Sequence, residues 1–515
     1  MNWYMGLDAS TQSLSAVVVD PEQSRIVGDL SVDFNELPEY KCASGVLENS
    51  DPLVKHSDPL LWVAALEKLF SQLRPSGIAP ERIAAISGSG QQHGTVYLLD
   101  SFRELDGWHS DRLLVEQVRQ MLARPTAPIW MDSSTSVECA EITRAAGGVE
   151  YVQQTTGSPA IERFSGPQIR KFHKNHPEMY EATGIIHLVS SFMGSLLAGR
   201  SIPIDYGDGA GMNLMNLERE NWDRQMIEAT APGLADKLPP LRPSSTRVGK
   251  IAAYFVDKFG FSPETELLAW SGDNPNSLIG VGGWRPGVAV ISLGTSHTYF
   301  AAMHTPTVDP DGYGHVFGNP AGGFMSLICF KNGALAQEAV RDQARIDWRQ
   351  FDQCLRDTPA GNHGNLMLPY FVPEITPLVF RASSVYRGTP EFEAGNDTPA
   401  RVRAVVEAQA LRLRLHSSWI ETEPGELRVT GGAAKSTEVC QVLADVFGTR
   451  VERLETGNSA GLGAALRAAQ GMGVDNWRGL AATFCKPASG QTVEPIPEHV
   501  AVYRKMLPTF AEFAK

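Results

Sequence analysis

The 515-residue chain has few cysteines and neither a long apolar run nor a cluster of basic residues. Its six cysteines never occur in a CxxC spacing, which excludes the common zinc-site and disulfide-framework patterns. No stretch approaches the roughly 20 apolar residues that span a bilayer. The first residues, MNWYMGLDASTQS, lack the basic and apolar regions of a signal peptide. We therefore expect a cytoplasmic protein without a membrane partner.

Positive charge is also scarce. Lys and Arg total 45 against 58 Asp and Glu, which gives a formal net charge of −13. Because proteins that bind nucleic acids usually carry clustered basic residues, we expect no nucleic-acid partner. The composition of 43% hydrophobic and 20% charged residues is typical of a folded protein, and 48 Gly with 33 Pro indicate many tight turns. This balance favours a mixed α/β enzyme.

The first part of the chain predicts an antiparallel meander of strands over residues 3–8, up to Val19 and over residues 26–34. Residues 58–73 follow with apolar side chains at helical spacing, and residues 83–87 form a short apolar strand. The predicted order is therefore β-β-β-α-β.

A similar pattern begins again past the middle of the chain. Strands are predicted over residues 288–293, 297–303, 324–330 and 427–430, and helices over residues 402–415 and 437–446. An apolar segment at 248–259, after a Pro-rich stretch, also predicts a helix. We place the boundary after it, which gives domains over residues 1–264 and 265–515.

Four polar turns could carry chemistry: residues 6–12 (GLDASTQ), 292–296 (SLGTS), 429–436 (VTGGAAKS) and 269–275 (AWSGDNP). Small and hydroxyl residues leave backbone N–H groups open to phosphate oxygens, and a carboxylate can hold hydrated Mg²⁺ or accept a proton. Each turn alone also fits an ordinary turn with an Asp, Ser or Thr cap.

In order and spacing the four turns correspond to the actin-like, hexokinase-like ATPase plan, and nearly the whole chain resembles the FGGY carbohydrate kinases. The motifs that carry the resemblance are GLDAST, SGSGQQHG, ERFSGPQI, PIDYGDGAGMNL, SGDNPNSL, ISLGTSHT, FKNG, EITP, VTGGAAKS, QVLADVFG and NSAGLGAA. The resemblance implies an α/β fold of two actin-like, ribonuclease H-like ATPase domains that flank a central nucleotide and sugar cleft. The N-terminal domain would bind sugar and carry the first phosphate loop, and the C-terminal domain would supply the base and bind nucleotide.

The activity that the resemblance implies is transfer of the γ-phosphoryl group of ATP to the terminal hydroxyl of a ketopentose. The likeness is greatest to members that convert D-xylulose to D-xylulose 5-phosphate. Activity on ribulose, fuculose, rhamnulose or glycerol stays open because the catalytic motifs are shared, and a non-catalytic ATP-dependent sugar sensor is the alternative from another class. ATP and Mg²⁺ are the implied cofactors, and a homodimer is expected from the family alone.

The resemblance also implies the sugar site. The aspartate of the family's GDN motif is the general base, so Asp273 is the matching catalytic residue, with Asn274 beside it contacting sugar. The family's QxHG histidine and ERF arginine match His93 and Arg163. A buried structural histidine and a surface ion pair are the alternatives for these two residues.

On the nucleotide side, Asp8 matches the family's metal-linked catalytic aspartate. The matching nucleotide-binding residues are Thr11 and Gln12 in the first phosphate loop, Gly294, Thr295 and Ser296 in the second, Gly432, Ala433 and Ser436 in the adenosine loop, and Trp348. A core or surface tryptophan is the alternative for Trp348. Two positions depart from the family's pattern, since Ser15 and Gln168 stand where lysine is common.

Overall fold

The computed structural model describes residues 2–454, 457–487 and 491–515. Packing divides the chain into two compact units. The first unit comprises Met1–Trp284, Val316–Met325 and Asn458–Cys485, and the second comprises Arg285–His315, Ser326–Gly457 and Lys486–Lys515. Each unit is therefore built from segments that are distant in sequence.

A mixed sheet forms the centre of the first unit. Its strands are β1 (Trp3–Ala9), β2 (Ser13–Asp20), β3 (Arg25–Asp33), β4 (Ile83–Gly90), β5 (Arg247–Lys250), β6 (Glu266–Leu268) and β7 (Ser271–Gly272). The order is β5-β6-β4-β1-β2-β3, and β7 pairs with β4 beside this path. Because β1, β6 and β7 are all parallel to β4, their carboxyl ends lie toward the same edge of the sheet.

Both faces of β1 are buried because helices cover the two sides of the sheet. Met5 shares a hydrophobic core with the helix Pro59–Ser71, whereas Tyr4 shares another with the helix Ser459–Gly471. Successive side chains of a strand point to opposite faces, which explains why Met5 and Tyr4 belong to different cores. A Cβ at Gly6 would come within 2.0 Å of a carbonyl oxygen of the second helix, so this close contact requires glycine.

The division of the chain differs from the boundary predicted after residue 264. Residues 265–284 belong to the first unit, because β6 and β7 both pair with β4. Asp273 therefore lies in the first unit, although the sequence assigned it to the second domain. Local patterns reveal a strand but not the strand with which it pairs.

The sheet of the second unit repeats the same plan. Its strands include β8 (Val288–Leu293), β9 (His297–Met303), β10 (Phe324–Phe330), β11 (Glu426–Thr430), β12 (Val451–Arg453) and β13 (Thr492–Val493). They follow the order β10-β9-β8-β11-β12-β13. As in the first sheet, an antiparallel hairpin of the first two strands lies beside two parallel strands.

Other elements surround these sheets. The remaining helices of the first unit are Asp100–Arg103, Leu114–Arg119, Ser136–Ala145, Val149–Thr156, Ser165–Asn175, Pro177–Ala182, Val189–Ala198, Tyr206–Gly209, Arg224–Thr230, Leu234–Lys237, Ala253–Phe259, Asp273–Gly280 and Trp477–Phe484. Those of the second unit are Ala334–Ala344, Trp348–Asp357, Pro390–Glu393, Thr398–His416, Thr437–Phe447 and Pro497–Phe513. Single 3₁₀ turns are Phe34–Glu36, Pro38–Tyr40, Pro80–Arg82, Ala210–Met212, Asn362–Gly364 and Gly432–Lys435. The short strands are Cys42–Ala43, Val46–Leu47, His56–Ser57, Thr95–Leu98, Ala127–Pro128, Ile185–Leu188, Ile204–Asp205, Met215–Asn216, Asn221–Trp222, Leu241–Arg242, His315–Gly318, Leu366–Leu368, Glu374–Ile375, Leu378–Val379 and Val385–Arg387.

Most predicted elements are confirmed. The strands β8, β9 and β10 have the predicted bounds, and β1 to β4 differ from prediction by a few residues at their ends. The helix predicted over residues 248–259 is wrong in its first half, since the helix begins only at Ala253. Residues 247–250 form β5 because they pair with β6, and Gly249 has a φ of +121°, which no α-helix accommodates. Among the helices that the structure describes, none has the length and apolar character needed to cross a membrane.

Candidate active site

Asp8 lies near the carboxyl end of β1, opposite Ser89 of β4 in the parallel register. The side chain is buried, and its Oδ1 has no hydrogen-bond partner among the described residues. Burial raises the pKa of Asp8 to about 6. The site therefore holds a carboxylate with one oxygen free to take a ligand.

The turn between β1 and β2 holds the two predicted residues of the first phosphate loop. A backbone hydrogen bond of 3.0 Å from Ser10 to Ser13 closes this turn. Thr11 is half-buried and accepts a hydrogen bond of 2.8 Å from Nε1 of Trp130, whereas Gln12 is exposed. Trp130 had no role in the sequence analysis, because only the fold brings its indole to this turn.

Asp273 opens the helix Asp273–Gly280, directly after β7. Its Oδ1 accepts two hydrogen bonds from Asn274, of 2.7 Å from the backbone N–H and 3.0 Å from Nδ2. Desolvation by the surrounding protein, followed by the charge of Asp8, raises the pKa of Asp273 to about 7. A carboxyl group with this pKa can accept a proton at neutral pH and later release it.

His93 lies in the loop after β4, with its backbone in the left-handed region at φ +71°. Its Nδ1 is 2.7 Å from the carbonyl oxygen of Gly211, and its ring packs on Phe164 with centroids 4.5 Å apart. Burial, and then the charge of Arg163, lower the pKa of His93 to about 3. The imidazole is therefore neutral. Since a carbonyl only accepts, Nδ1 carries the proton and Nε2 is an acceptor.

Arg163 comes just before the helix Ser165–Asn175, in the same unit as His93. Its guanidinium lies 5.9 Å from the ring centroid of Phe164, the residue that also packs on His93. The influence of Arg163 on the pKa of His93 shows that the two predicted sugar residues are electrostatic neighbours.

Gln92 is a further residue of this site that the sequence analysis did not single out. Its Oε1 accepts a hydrogen bond of 2.8 Å from Nδ2 of Asn274, 182 residues away in the chain. The bond joins the loop after β4 to the start of the helix that follows β7. The quoted motif SGSGQQHG contained Gln92, but a motif does not show which distant residue it contacts.

Two buried aspartates, Asp205 and Asp208, also lie in the first unit. The hydroxyl of Ser190 donates to Asp208 Oδ2, and that of Ser244 donates to Asp205 Oδ2. Burial raises the pKa of Asp208 well above its ordinary value, and the charges of Asp205 and Asp273 add to the shift. The surroundings of Asp208 therefore favour its protonated form more than water would. The signal in the sequence was the spacing DYGD within PIDYGDGAGMNL.

The two departures from the lysine pattern have structural partners in this unit. Ser15 accepts a hydrogen bond of 2.8 Å from Nδ2 of Asn458, the residue that caps the helix Ser459–Gly471. Gln168 donates a hydrogen bond of 2.8 Å from Nε2 to the buried Asp132. Both side chains therefore stabilise local structure.

In the second unit, the turn between β8 and β9 carries the second predicted phosphate loop. Gly294 accepts a backbone hydrogen bond of 2.9 Å from Ala334 at the start of a helix, and Thr295 and Ser296 are exposed. A Cβ at Gly333 would lie 2.7 Å from the backbone of Ser296. The backbone at Gly333 therefore packs tightly against this loop, while the hydroxyl groups of Thr295 and Ser296 remain accessible.

A pocket of about 450 Å³ in the second unit collects the other predicted nucleotide residues: Trp348, Gly432, Ala433 and Ser436. Trp348 is 43% exposed, and Phe351 packs edge-on against its ring with centroids 5.3 Å apart. The guanidinium of Arg341 lies 4.5 Å from the ring centroid of Trp348. The pocket thus combines an accessible indole face with the small residues of the turn after β11, a combination that suits a flat aromatic ligand.

Comparisons with known proteins identify the family. Residues 109–280 match the model of the N-terminal domain, and residues 289–472 that of the C-terminal domain, of the FGGY family of carbohydrate kinases. The chain is 38% identical to the xylulose kinase of Rattus norvegicus, over 99% of this chain and 96% of that protein. The chain belongs to the FGGY family of carbohydrate kinases.

Other relatives agree with this assignment. The FGGY chain is 40% identical to xylulose kinase 2 of Arabidopsis thaliana, over 91% of this chain and 87% of that protein. Its fold matches the crystal structure of the xylulose kinase from Rhodospirillum rubrum with a TM-score of 0.84 at 21% identity, covering 99% and 98% of the two chains. The actin-like, ribonuclease H-like fold expected of the FGGY kinases is thereby confirmed for this chain.

Proposed function

We propose that this FGGY kinase transfers the γ-phosphoryl group of ATP to the terminal hydroxyl of D-xylulose and forms D-xylulose 5-phosphate. The relatives from rat and Arabidopsis, both named xylulose kinases, support this substrate. The homodimer expected from the family and the cytoplasmic location inferred from the sequence remain predictions.

The observation that carries the proposal is the direction of the hydrogen bonds at the sugar residues. Nε2 of His93 is an acceptor, because Nδ1 donates to Gly211. Both hydrogens of Asn274 Nδ2 are used by Gln92 and Asp273, so Asn274 offers its Oδ1 as an acceptor. With the Asp273 carboxylate, the site offers three acceptors, which suit a substrate rich in hydroxyl groups.

Arg163 completes this pattern because a guanidinium can only donate. It suits an oxygen of the substrate that accepts, such as the carbonyl oxygen of a ketose. The set therefore matches a polyhydroxy ketone, in agreement with the substrate named for the relatives.

The reaction follows from the position and pKa of Asp273. The terminal hydroxyl oxygen of the sugar attacks the γ-phosphorus, a new P–O bond forms, and the bond to the bridging oxygen of ADP breaks. Asp273 accepts the proton of the attacking hydroxyl, and its pKa of about 7 suits both this step and the later release of the proton. His93, Arg163 and Asn274 orient the sugar, so that proximity supplies much of the rate enhancement.

Mg²⁺ fits the free oxygen of Asp8. Within residues 2–454, 457–487 and 491–515, no group of three or more His, Cys, Asp or Glu side chains could hold a metal ion. Mg²⁺ in kinases is commonly bound by one or two carboxylates with water and phosphate oxygens, so a single carboxylate with Oδ1 free suffices. Bound there, Mg²⁺ would neutralise negative charge on the phosphates.

The remaining predicted residues would bind the rest of ATP. The backbone N–H groups and hydroxyls of the turns at Thr11–Gln12 and Gly294–Ser296 suit phosphate oxygens. The pocket at Trp348, Gly432, Ala433 and Ser436 suits the adenine ring and ribose, since it offers an aromatic face beside residues of small volume. These roles are part of the proposal.

A coupled assay of ADP release tests the function. Mg²⁺-ATP is supplied with D-xylulose, D-ribulose, L-ribulose, L-fuculose, L-rhamnulose, glycerol or no acceptor. We expect kcat/KM to be at least about tenfold higher for D-xylulose than for any other acceptor. A preference for another acceptor would refute the substrate and retain the kinase, whereas the absence of acceptor-dependent turnover would refute the activity and favour the sugar sensor.

A further inference from the structure

We propose that Gln92 is a positioning residue that holds the base Asp273 through Asn274 and so directs one defined oxygen of the carboxylate to the sugar. The proposal rests on the proposed function of Asp273. It adds a residue to which neither the motif resemblance nor the comparisons assign a role.

The first argument is the chain of hydrogen bonds. Nδ2 of Asn274 donates to Gln92 Oε1 at 2.8 Å and to Asp273 Oδ1 at 3.0 Å. An amide NH₂ group is planar and has two hydrogens, so the bond to Gln92 fixes the direction of the second hydrogen toward Asp273. Without Gln92, Asn274 could turn about its side-chain bonds and lose this alignment.

The second argument concerns which oxygen of Asp273 accepts the proton. Oδ1 already accepts from the backbone N–H of Asn274 at 2.7 Å and from its Nδ2. The lone pairs of Oδ1 are therefore engaged, and Oδ2 is the oxygen that the arrangement leaves for the attacking hydroxyl. A carboxylate held in this way loses less rotational freedom when the transition state forms.

The third argument is the space built around Gln92. A Cβ at Gly272 would lie 2.5 Å from Cγ of Gln92, which is closer than a side chain tolerates. Glycine at this position therefore leaves the space that the glutamine side chain occupies. Gln92 is only 2% exposed, and within the described residues its Nε2 has no hydrogen-bond partner, so its Oε1 provides its one side-chain hydrogen bond there. The bond to Asn274 is thus the one protein hydrogen bond of this buried amide within the described residues, which points to that bond as its role.

The test is a double-mutant cycle on kcat. Gln92→Met removes the acceptor and keeps the length of the side chain. We expect kcat to fall about tenfold with KM values for sugar and ATP within about twofold of the parent, because a misaligned base slows the chemical step. In an Asn274→Ala background, the same change should lower kcat by less than twofold. The side chain that connects Gln92 to Asp273 is already absent in that background.

Two results would overturn the proposal. One is a kcat for Gln92→Met within twofold of the parent, and the other is an equal loss of kcat in both backgrounds, which would indicate a general structural role. If Gln92→Met does not fold, Gln92→Asn, whose amide ends one methylene short of Asn274, replaces it with the same expectations. Failure of the proposed function is distinguishable, because the parent enzyme would then show no sugar-dependent turnover.

The matched control is Gln117→Met. Gln117 is also a buried glutamine of the first unit, but its amide bonds to the backbone of His109, at 2.9 Å and 3.0 Å. We expect this variant to lose stability and to keep the parent kcat. A loss of kcat equal to that of Gln92→Met would also overturn the proposal, since any buried glutamine would then have the same effect.

Discussion

The two units repeat one strand order but place different chemistry at the turn after their first strand. In the first unit, a buried carboxylate, Asp8, precedes the turn between β1 and β2. In the second, the corresponding turn between β8 and β9 carries no carboxylate and exposes the hydroxyls of Thr295 and Ser296. The same strand order therefore carries a buried acidic side chain in the first unit and an exposed turn without charge in the second.

The same contrast extends beyond the turns. The first unit holds the side chains whose charge or proton matters, and their pKa values are shifted by burial and by one another. The second unit offers a pocket with an accessible indole and small residues. Substitutions at the base and at the sugar residues of the first unit should therefore change kcat or the KM for sugar, whereas substitutions in the pocket of the second unit should change the KM for ATP.

The largest expected effect is that of Asp273→Asn. The amide has almost the same shape but cannot accept the proton, so we expect kcat to fall by about 10²- to 10⁴-fold. Binding of an ATP analogue, measured by calorimetry, should change by less than twofold. Asp257→Asn, at an exposed aspartate of the first unit, is the control and should keep the parent kcat. Near-normal turnover of Asp273→Asn would exclude this residue as the base.

The next effect concerns binding of the sugar. His93→Phe keeps an aromatic ring against Phe164 but removes the acceptor Nε2. A hydroxyl of the substrate would then be buried without a partner, at a cost of about 1–3 kcal/mol, so we expect the KM for sugar to rise about 10- to 100-fold. The KM for ATP should change by less than twofold. Equal increases in both KM values would contradict the proposal that His93 binds the sugar and not ATP.

The sequence predicted the fold well and the site in part, and the failures have a common physical cause. Strands such as β8 and β9 were predicted with their bounds because their apolar patterns and turns are local features. The placement of Asp273 failed because it depends on the pairing of β7 with β4, residues that are about 180 positions apart. Gln92 and Trp130 were missed for the same reason, since each gains its role from a partner that only the fold brings near.

The dependence of activity on pH tests the ionisation of Asp273 in the first unit. Because Asp273 must be ionised to accept a proton and its pKa is about 7, kcat/KM for sugar should rise with pH through this value. At pH 6 about a tenth of the base is ionised, so kcat/KM should be about tenfold below its alkaline plateau. Initial rates between pH 5.5 and about 8.5 in overlapping buffers at constant ionic strength would measure this. A flat profile between about pH 6 and 8 would contradict the assignment.

A smaller effect is expected in the pocket of the second unit. Trp348→Ala removes the indole face and should raise the KM for ATP about fivefold, since stacking on a base contributes about 1 kcal/mol or more. Trp348→Phe keeps an aromatic face and should stay within about twofold of the parent. The KM for sugar should not change in either variant. A loss of kcat without a change in the KM for ATP would show that the tryptophan does not contact the adenine ring.

The smallest effect concerns the hydrogen bonds of Ser436 beside the pocket of the second unit. Ser436 caps the helix Thr437–Phe447 by accepting from the backbone N–H of Val439 at 3.2 Å, and its hydroxyl donates to Asp352 at 2.7 Å. Ser436→Ala should destabilise the first turn of this helix by about 1 kcal/mol, as the loss of an N-cap does elsewhere. Its amides should then exchange hydrogen about fivefold faster in a peptide-resolved experiment. Ser436→Thr, which keeps the hydroxyl, should exchange at the parent rate. Unchanged protection in Ser436→Ala would mean that packing around the pocket, and not the cap, holds this turn in place.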